Sequence, residues 1–405
     1  MAIRLCAVLL LALTATACLK ATKPTLPRVF PAPQQLPPKN KAPLIIIPGI
    51  LGSELVNRKT QQRLWPELFP DDRDALLLPI DAADLRANRD DIVATRVIEN
   101  ADLGRLVPLI GAYAGLLQAL ENYAGYKRGD LDNPASDGDH DTFYLFAYDW
   151  RRDNVEAAQL LAEKLDKLKT RLHRPDLRFD VIAHSMGGLI ARYYAMYGAR
   201  DVLGEQTPQP EWTGARHIQR LILIGTPNAG SFDAFRSLIQ GYSVTEATHT
   251  RLALFRGLHQ RMIFTVPSVY QLLPRSSGAR FFNEKLERLP VDLYDVATWR
   301  EQHWSAAFDP NTLLEERKRL GKKLGAMAGA AAVQQLAAQR AQYLPVVLAR
   351  ARAFQRALDA RGEAPATLPL HLIGGDCEPT IAGAFLVNVN GAPRTLFWPN
   401  GLLGT

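Results

Sequence analysis

Five short, largely apolar runs spaced along the chain constrain its fold more than any other feature of the sequence. These runs are LIII (44–47), FYLFAY (143–148), RFDVIA (178–183), LILIG (221–225) and LHLIG (370–374). Runs of this kind are typical of strands that are buried on both faces, as in parallel sheets. Helical patterns lie between some of them. The sequence therefore predicts an α/β fold in which helices flank a mostly parallel sheet.

The clearest helical pattern covers residues 154–172. Apolar residues recur there at three- and four-residue spacings, at Ala158, Leu161, Leu165, Leu168 and Leu172. Asp153 followed by Glu156 resembles a capping box, the arrangement in which a helix start is held by side chains three residues apart. We therefore predict a helix that begins just after Asp153 and buries its leucine stripe.

Two regions interrupt the alternation of strands and helices. Residues 53–140 carry polar stretches and few clear strands, and residues 226–368 are mostly helical or irregular. Both are predicted to be insertions on one domain that spans residues 44–405. The segment 312–361 of the second insertion is basic, which indicates either a solvated helical face or a contact with anionic lipid. Its cations include Arg317, Lys318, Arg319, Lys322, Lys323, Arg340, Arg350, Arg352 and Arg356.

The first residues, MAIRLCAVLLLALTATAC, have the pattern of an export signal. Arg4 is followed by a short apolar run and by the cleavage pattern Ala15-Thr16-Ala17. The apolar run is too short to span a membrane as a helix. Cleavage after residue 17 would leave Cys18 first, and the segment resembles a bacterial lipoprotein signal in which that cysteine is acylated. We expect a lipoprotein on the periplasmic side of a membrane in the bacterial cell envelope, or else plain secretion.

Residues 18–43 follow the signal and hold seven prolines. Proline fixes φ and lacks an N–H donor, so this segment is predicted to be a stiff linker between the lipid anchor and the folded domain. An ordinary disordered tail is the alternative. The chain has three cysteines, Cys6, Cys18 and Cys377. Only Cys377 lies in the folded domain, so no internal disulfide is expected.

The stretch VIAHSMGGLIARYY (181–194) has the form of a nucleophile elbow. The general pattern is G-x-S-x-G, and this chain has Ala183 at the first position and Ser185 at the centre. An apolar strand precedes the turn and an apolar helical pattern follows it. We therefore predict that Ser185 is a nucleophile and that the Met186 N–H helps to bind an oxyanion. His184 is predicted to be a packing residue rather than the catalytic base.

The glycine-rich turn Pro48-Gly49-Ile50-Leu51-Gly52 follows the first predicted strand. Its glycines allow the backbone to approach a substrate closely. The Ile50 N–H is therefore predicted to be the second oxyanion donor. The predicted catalytic groups are Ser185 and the amides of Ile50 and Met186.

The motifs IIIPGILGSEL, FAYDWRR, AHSMGGLIARYY, GTPNAGS and PSVYQLLP occur in this order along the chain. In that order they resemble the lecithin:cholesterol acyltransferase-like α/β-hydrolases, which include lysosomal phospholipase A2 and phospholipid:diacylglycerol acyltransferases. The resemblance covers about residues 43–275, and residues 370–380 resemble a later strand and turn of that family. It implies an α/β-hydrolase fold and a serine acyl-enzyme mechanism on lipid esters.

The same resemblance implies a helical lid within residues 229–270 and a membrane-contacting insertion around LWPELFP (64–70). In that insertion Trp65, Leu68 and Phe69 either enter a lipid interface or pack on the core. The family's disulfide in this insertion has no cysteines here. The Asp149 and Arg151 pair of FAYDWRR is predicted to be structural rather than catalytic.

The acid and the histidine of a Ser–acid–His triad are not identifiable in the sequence. The family's acidic turn and later histidine do not occur before residue 405. Three alternatives remain open. The chain is truncated, or it uses substitutes such as Asp376 and His303, or it is a non-catalytic lipid-binding protein that has kept the elbow.

No metal or cofactor is expected, because the sequence has no HExxH, no CxxC pair and no phosphate-binding loop. DGDHD (137–141) lacks the spacing of a calcium loop and is predicted to be a surface loop. The net charge of +7 suits an anionic partner. The basic helices lack the interleaved aromatic residues of a single-strand nucleic-acid platform, so the expected partner is a membrane or lipoprotein-like lipid substrate. No protein partner can be inferred, and hydrolysis cannot be separated from acyl transfer.

Overall fold

The computed structural model describes residues 41–66, 74–81, 83–99, 112–242, 257–275, 280–375 and 380–397. The predicted signal peptide, Cys18 and nearly all of the proline-rich linker lie outside these residues, as do Asp376 and Cys377. None of the helices within them is both long and apolar enough to cross a membrane.

The described strands are β1 (Leu44–Ile47), β2 (Ser53–Asn57), β3 (Arg63–Trp65), β4 (Ile92–Val97), β5 (Lys127–Arg128), β6 (Thr142–Leu145), β7 (Phe179–His184), β8 (Ile218–Ile224), β9 (Phe281–Phe282), β10 (Arg288–Leu289), β11 (Leu370–Ile373), β12 (Ala384–Val389) and β13 (Ala392–Leu396). The described helices are α1 (Ala112–Asn122), α2 (Asn154–Arg171), α3 (Met186–Tyr197), α4 (Phe232–Gln240), α5 (Gln260–Ile263), α6 (Pro267–Tyr270), α7 (Val296–Glu301), α8 (Ser305–Phe308), α9 (Pro310–Leu324) and α10 (Ala326–Leu358).

The central sheet has six strands in the order β11-β8-β7-β1-β6-β5, and every neighbouring pair is parallel. All five apolar runs of the sequence form strands of this sheet, so the predicted α/β fold is confirmed. β1 lies between β6 and β7, and its four residues are buried. Since parallel strands end at one common edge, the segments that follow β1, β7 and β8 meet there.

The first insertion forms a second, antiparallel sheet with the order β3-β2-β4. The sequence analysis did not predict this sheet, because its strands do not form continuous apolar runs. β4, which reads IVATRV, is interrupted by Thr95 and Arg96, and three of its six side chains are exposed. Trp65 at the end of β3 is buried. Its indole N–H donates to the Leu51 carbonyl at 2.8 Å, and its ring packs edge-on against Trp150 at 5.8 Å. Trp65 therefore packs on the core, whereas Leu68 and Phe69 lie outside the described residues.

The predicted helix over residues 154–172 is confirmed as α2. Asp153 is its N-cap and accepts a hydrogen bond from the Val155 N–H at 2.8 Å. The predicted stripe, which consists of Ala158, Leu161, Leu165, Leu168 and Leu172, is buried. Glu156 pairs with Arg152 at 2.9 Å. The N-cap thus forms as the capping-box spacing indicates, while the glutamate is engaged by an arginine.

The second insertion is mainly helical, as predicted, and builds a cap over the sheet edge where α3 begins. An aromatic cluster around Phe235 forms its core. The ring of Phe235 lies 4.7 Å from Trp304, 5.6 Å from Phe281 and 5.5 Å from Phe397, measured between centroids. Phe281 and Phe397 belong to or follow the small sheet of order β10-β9-β12-β13. Distant parts of the chain therefore meet in this cluster.

Arg151 ties the first insertion to the core. Its side chain is fully buried and pairs with Asp149 at 2.7 Å and with Asp90 at 2.7 Å. It also donates to the Leu76 carbonyl at 3.2 Å. These contacts agree with a structural role, because all of its bonds go to groups that hold the insertion in place.

Replacement of Arg151 by methionine is expected to lower the free energy of unfolding by about 3–5 kcal/mol, because Asp149 and Asp90 would keep their charges without the cation between them. Urea denaturation measures this change. Arg58→Met is the control. Arg58 is exposed and pairs with Asp91 at 3.0 Å, so its loss should cost less than about 1 kcal/mol. Equal stability of the two variants would contradict this account of Arg151.

Candidate active site

The turn between β7 and α3 holds Ser185 in an unusual backbone conformation. Its φ is 51° and its ψ is −125°, whereas non-glycine residues rarely adopt a positive φ. The surrounding backbone fixes this geometry. The Ser185 N–H donates to the Ile224 carbonyl at 2.9 Å, and the Gly188 N–H donates to the Ser185 carbonyl at 2.9 Å. Conformations of this kind cost about 1–3 kcal/mol and concentrate at functional sites.

Small residues after the serine allow α3 to start directly against β1. A Cβ atom on Gly187 would lie 2.4 Å from the Pro48 carbonyl oxygen and 2.8 Å from the Ile47 carbonyl oxygen. A Cβ atom on Gly188 would lie 1.9 Å from Oγ1 of Thr226. The first turn of α3 therefore requires glycine at both positions. On the other side of the serine, Ala183 is fully buried and fills the place that the general motif gives to glycine.

The glycine-rich turn after β1 lies beside Ser185. The Gly52 N–H donates to the Gly49 carbonyl at 3.1 Å, which closes the turn. A Cβ atom on Gly49 would lie 2.9 Å from Cβ of Ser185, so only glycine permits this approach. The Ile50 N–H and the Met186 N–H have no acceptor among the described residues. The structure thus brings the three predicted groups together in two adjacent turns, with both amides available as donors.

A phenol in the first insertion connects these two turns. Tyr113, on α1, accepts a hydrogen bond from the Gly49 N–H at 2.8 Å, and its oxygen lies 2.8 Å from Nδ1 of His184. Burial lowers the pKa of His184, which favours a neutral imidazole. Burial also raises the pKa of Tyr113 to about 12, so the phenol keeps its proton. The Tyr113 O–H therefore donates to Nδ1, and the imidazole carries its proton on Nε2.

His184 consequently orients the elbow, as the sequence predicted, and its Nδ1 is engaged as an acceptor. Tyr113 was missed by the sequence analysis, because it lies in the insertion and carries no motif. A signal for such a residue would be a tyrosine in a helix with a mainly apolar face, but many structural tyrosines share that pattern.

Ser185 and Ile50 line a cavity of about 300 Å³. Helices α4, α5 and α6 of the predicted lid segment provide much of its wall, so that part of the prediction agrees with the structure. The wall is mostly apolar, which suits a hydrocarbon chain. Its apolar side chains include Leu51, Trp150, Tyr242, Leu258, Met262, Ile263, Val266, Val269 and Leu272, and its polar ones include Ser231, Asp233 and Ser237.

Ser185 Oγ has no hydrogen-bond partner among the described residues, although the Asp233 carboxylate lines the same cavity. His217 precedes β8 at the opposite edge of the sheet, where its Nδ1 lies 2.6 Å from the Lys169 ammonium group. His303, one of the predicted substitutes, lies between α7 and α8 and does not line the cavity. Asp376, the other substitute, and His249 lie outside the described residues.

Basic side chains of the protein pair with the acidic residues of DGDHD (137–141). Asp137 pairs with Lys127 at 2.9 Å, and Asp139 pairs with Arg174 at 2.5 Å. Within the described residues, no group of three or more histidine, cysteine or acidic side chains is arranged to hold a metal ion.

Comparison with known proteins supports the predicted resemblance. Residues 138–313 match the family model described as Lecithin:cholesterol acyltransferase. The resemblance that the motifs predicted is thus confirmed for that part of the chain. The match supports, in general terms, an enzyme that hydrolyses or transfers the acyl esters of lipids. No curated protein sequence matches the chain.

Thirteen chains among the solved structures match this one. The structure described as the Tle4-Tli4 complex has a TM-score of 0.51 and 14% sequence identity, and the match covers 90% of this chain and 85% of that one. At this identity the match supports the fold alone. Phospholipase PlaB from Legionella pneumophila has 13% identity over 66% of this chain and 44% of its own, but its TM-score of 0.23 is too low to carry an argument.

Replacement of Tyr113 by phenylalanine tests the link between the two turns. The buried Gly49 N–H would lose its acceptor, so the free energy of unfolding is expected to fall by about 1–3 kcal/mol. The rate at which a fluorophosphonate labels Ser185 is also expected to fall, because the turn that carries Ile50 loses its fixed position. Labelling followed by mass spectrometry measures this rate.

Tyr126→Phe is the control for Tyr113→Phe. The Tyr126 O–H donates to the Ala42 carbonyl at 3.2 Å, away from the elbow. That variant should lose stability without a change in the labelling rate. A Tyr113→Phe protein that labels as fast as the parent would show that the phenol has only a structural role.

Proposed function

We propose that this chain, an α/β-hydrolase that is similar to the lecithin:cholesterol acyltransferase family over residues 138–313, cleaves a fatty-acyl ester of a lipid through an acyl-enzyme on Ser185. The observation that carries the proposal is the strained Ser185, with φ of 51°, at the wall of an apolar cavity. The family match independently supports lipid acyl esters as the class of substrate.

In the proposed reaction Ser185 Oγ attacks the ester carbonyl carbon and loses its proton to a base. The carbonyl oxygen becomes an oxyanion, which accepts hydrogen bonds from the Ile50 and Met186 N–H groups. The positive end of the α3 dipole lies at the same place and favours that charge. The bond to the leaving alcohol then breaks, and the protonated base returns the proton to that alcohol. Water or a second alcohol removes the acyl group from Ser185 by the reverse steps.

The cavity accounts for the acyl half of the substrate. Its wall contains side chains of leucine, isoleucine, valine and methionine, which favour the burial of hydrocarbon. Trp150 and Leu51 lie on this wall near the two turns. The same wall offers few polar groups, so the headgroup of a lipid would remain on the open side. This arrangement suits phospholipids and acylglycerols alike.

The base of this reaction is not assigned, because no hydrogen bond joins Ser185 Oγ to a base among the described residues. Of the substitutes named above, His303 does not line the cavity and Asp376 lies outside the described residues. The third alternative, a non-catalytic lipid-binding protein, is favoured by the absence of a partner for Ser185 Oγ among the described residues. Reactivity of the serine separates the first two alternatives from the third.

A fluorophosphonate is expected to label the chain at Ser185, and Ser185→Ala should abolish the labelling. Hydrolysis of a soluble ester such as p-nitrophenyl butyrate should fall at least about a thousand-fold in the same variant. Ser237→Ala is the matched control, since this serine also lines the cavity but donates to the Asp233 carbonyl at 2.7 Å. That variant should label normally. A parent chain that does not react would instead support lipid binding without catalysis.

We further propose that the protein is held at the periplasmic side of a bacterial membrane by acylation of Cys18. The support is the sequence pattern of residues 1–18 and the prolines that follow it. A stiff linker of this length would let the folded domain reach the lipid surface that holds its substrate.

Cys18→Ser is expected to abolish the incorporation of labelled palmitate into the protein in cells. Cys6→Ser is the matched control, because Cys6 lies within the apolar run of the predicted signal and would be removed with it. Mass spectrometry of the purified proteins locates the acyl groups. Palmitate incorporation that persists in Cys18→Ser would contradict the anchor.

A further inference from the structure

Helices α9 and α10 form a hairpin whose base is firmly attached to the cap. Glu316 and Arg340 are buried and pair at 2.8 Å, and Arg340 also donates to the Ala306 carbonyl at 3.0 Å. Beyond Arg340, α10 packs into the core through Tyr343 and Leu344. The hairpin is therefore fixed at the level of Glu316 and Arg340.

The part of the hairpin beyond this pair, residues 317–339, is almost entirely exposed or half-buried, and we call it the arm. Gly329 is the one buried residue in the arm. A Cβ atom on Gly329 would lie 2.5 Å from the Gly321 nitrogen and 2.6 Å from the Gly321 Cα, so the two helices touch there through backbone atoms. The two helices of the arm are thus closely packed at this point, and the remaining side chains of the arm are exposed or half-buried.

The charge of the arm is strongly one-sided. No acidic residue lies between Glu316 and Asp359. The α9 side of the arm carries Arg317, Lys318, Arg319, Lys322 and Lys323, of which Arg319 pairs with Asp74 and Glu316. The α10 side, residues 326–339, is rich in alanine and has no charged residue. The arm therefore joins a cationic helix to an uncharged one.

The tip of the arm exposes apolar side chains next to lysines. Every residue from Lys322 to Ala328 is exposed. Leu324 is 50% exposed and Met327 is 89% exposed, although both belong to residue types that usually avoid water. A solvated helical face, one of the two alternatives for this basic segment, accounts for the lysines but gives no reason for these two side chains.

We infer that the tip of the arm binds an anionic lipid bilayer, with Leu324 and Met327 entering the interface and Lys322 and Lys323 contacting the headgroups. Apolar side chains flanked by lysine are the combination that lies stably at the boundary between headgroups and acyl chains. Each lysine near an anionic surface strengthens binding about fivefold, since about 1 kcal/mol is gained per cation. The contact is separate from the chemistry at Ser185 and from any acyl anchor.

A nucleic acid fits the arm less well. Residues 310–339 contain no aromatic side chain on which a base could stack. Phosphate contacts alone would use the lysines, but they would leave Leu324 and Met327 in water. A bilayer satisfies both kinds of side chain at one surface, and we therefore commit to lipid.

The end of the hairpin that is attached to the cap contacts helix α5, which lines the proposed active site. Thr312 on α9 donates to the Gln260 side chain on α5, and the following residues of α5, Met262 and Ile263, line the cavity. Asp74 bridges Arg261 of α5 and Arg319 of the arm, at 2.9 Å and 2.7 Å. Helix α9 has 15 residues and is therefore about 22 Å long. Since α9 runs from the contact with α5 to the tip, a bilayer at the tip would lie about this distance from the cavity wall.

Vesicle co-sedimentation of the full chain carrying Cys18→Ser tests the inference, because this background cannot be acylated at that position. The protein is expected to bind vesicles of equimolar phosphatidylcholine and phosphatidylglycerol and to bind pure phosphatidylcholine at least about tenfold more weakly. The tip variant Lys323→Ala/Leu324→Ser should lower the partition coefficient for the anionic vesicles about thirty-fold, through loss of one cation and one apolar contact.

The matched control is Lys285→Ala/Leu286→Ser, which alters another exposed lysine and leucine pair, between β9 and β10. Leu286 is 67% exposed and Leu324 is 50% exposed, so the control removes an apolar side chain that is at least as accessible. The control and Ser185→Ala should both bind vesicles as the parent does. Hydrolysis of p-nitrophenyl butyrate should be unchanged in the tip variant, so that loss of binding is not confused with misfolding or with failure of the proposed chemistry.

Three results would overturn the inference. The parent fails to bind anionic vesicles, or the tip variant binds them as tightly as the parent. The third is that the tip lysines are needed for binding a DNA duplex but not for binding vesicles, which would assign the arm to a nucleic acid.

Discussion

The contact between the end of β1 and the first turn of α3 is the constraint on which the rest of the site depends. Gly187 lies so close to the carbonyls of Ile47 and Pro48 that no side chain fits between them. Since β1 is central in the sheet and hydrogen-bonded on both sides, it moves little relative to β7. The serine turn and the glycine-rich turn therefore share one rigid support, which holds Ser185 beside the Ile50 and Met186 N–H groups.

Ion pairs hold the cap to this support. Arg350 of α10 pairs with Asp153, the N-cap of α2, at 2.6 Å and with Asp201 at 2.8 Å. The hydrogen bonds of Arg350 lower the pKa of Asp201 against the opposing effect of burial. Because a buried ion pair stabilises a structure only when its geometry is good, such bridges fix the orientation of the two parts more than they add stability.

Much of this architecture could be predicted because it depends on local patterns. The runs that form β1, β6, β7, β8 and β11 are apolar enough to be recognised one at a time, and the motif around Ser185 requires small residues at fixed positions. The antiparallel sheet of the first insertion could not be predicted, since Thr95 and Arg96 interrupt the apolar run of β4 and the strand acquires its structure from pairing with β2. The same holds for Tyr113, whose importance arises from contacts with residues 64 and 71 positions away along the chain.

The bond from Gly49 to Tyr113 changes how the first insertion should be regarded. Helix α1 lies in an insertion, and segments that connect the elements of a fold commonly tolerate replacement. Yet its phenol is the acceptor that saturates the amide just before Ile50 and the donor that sets the tautomer of the histidine before Ser185. A graft that replaces this insertion must therefore supply its own acceptor for the Gly49 N–H, because the turn that carries Ile50 would otherwise lose this fixed contact.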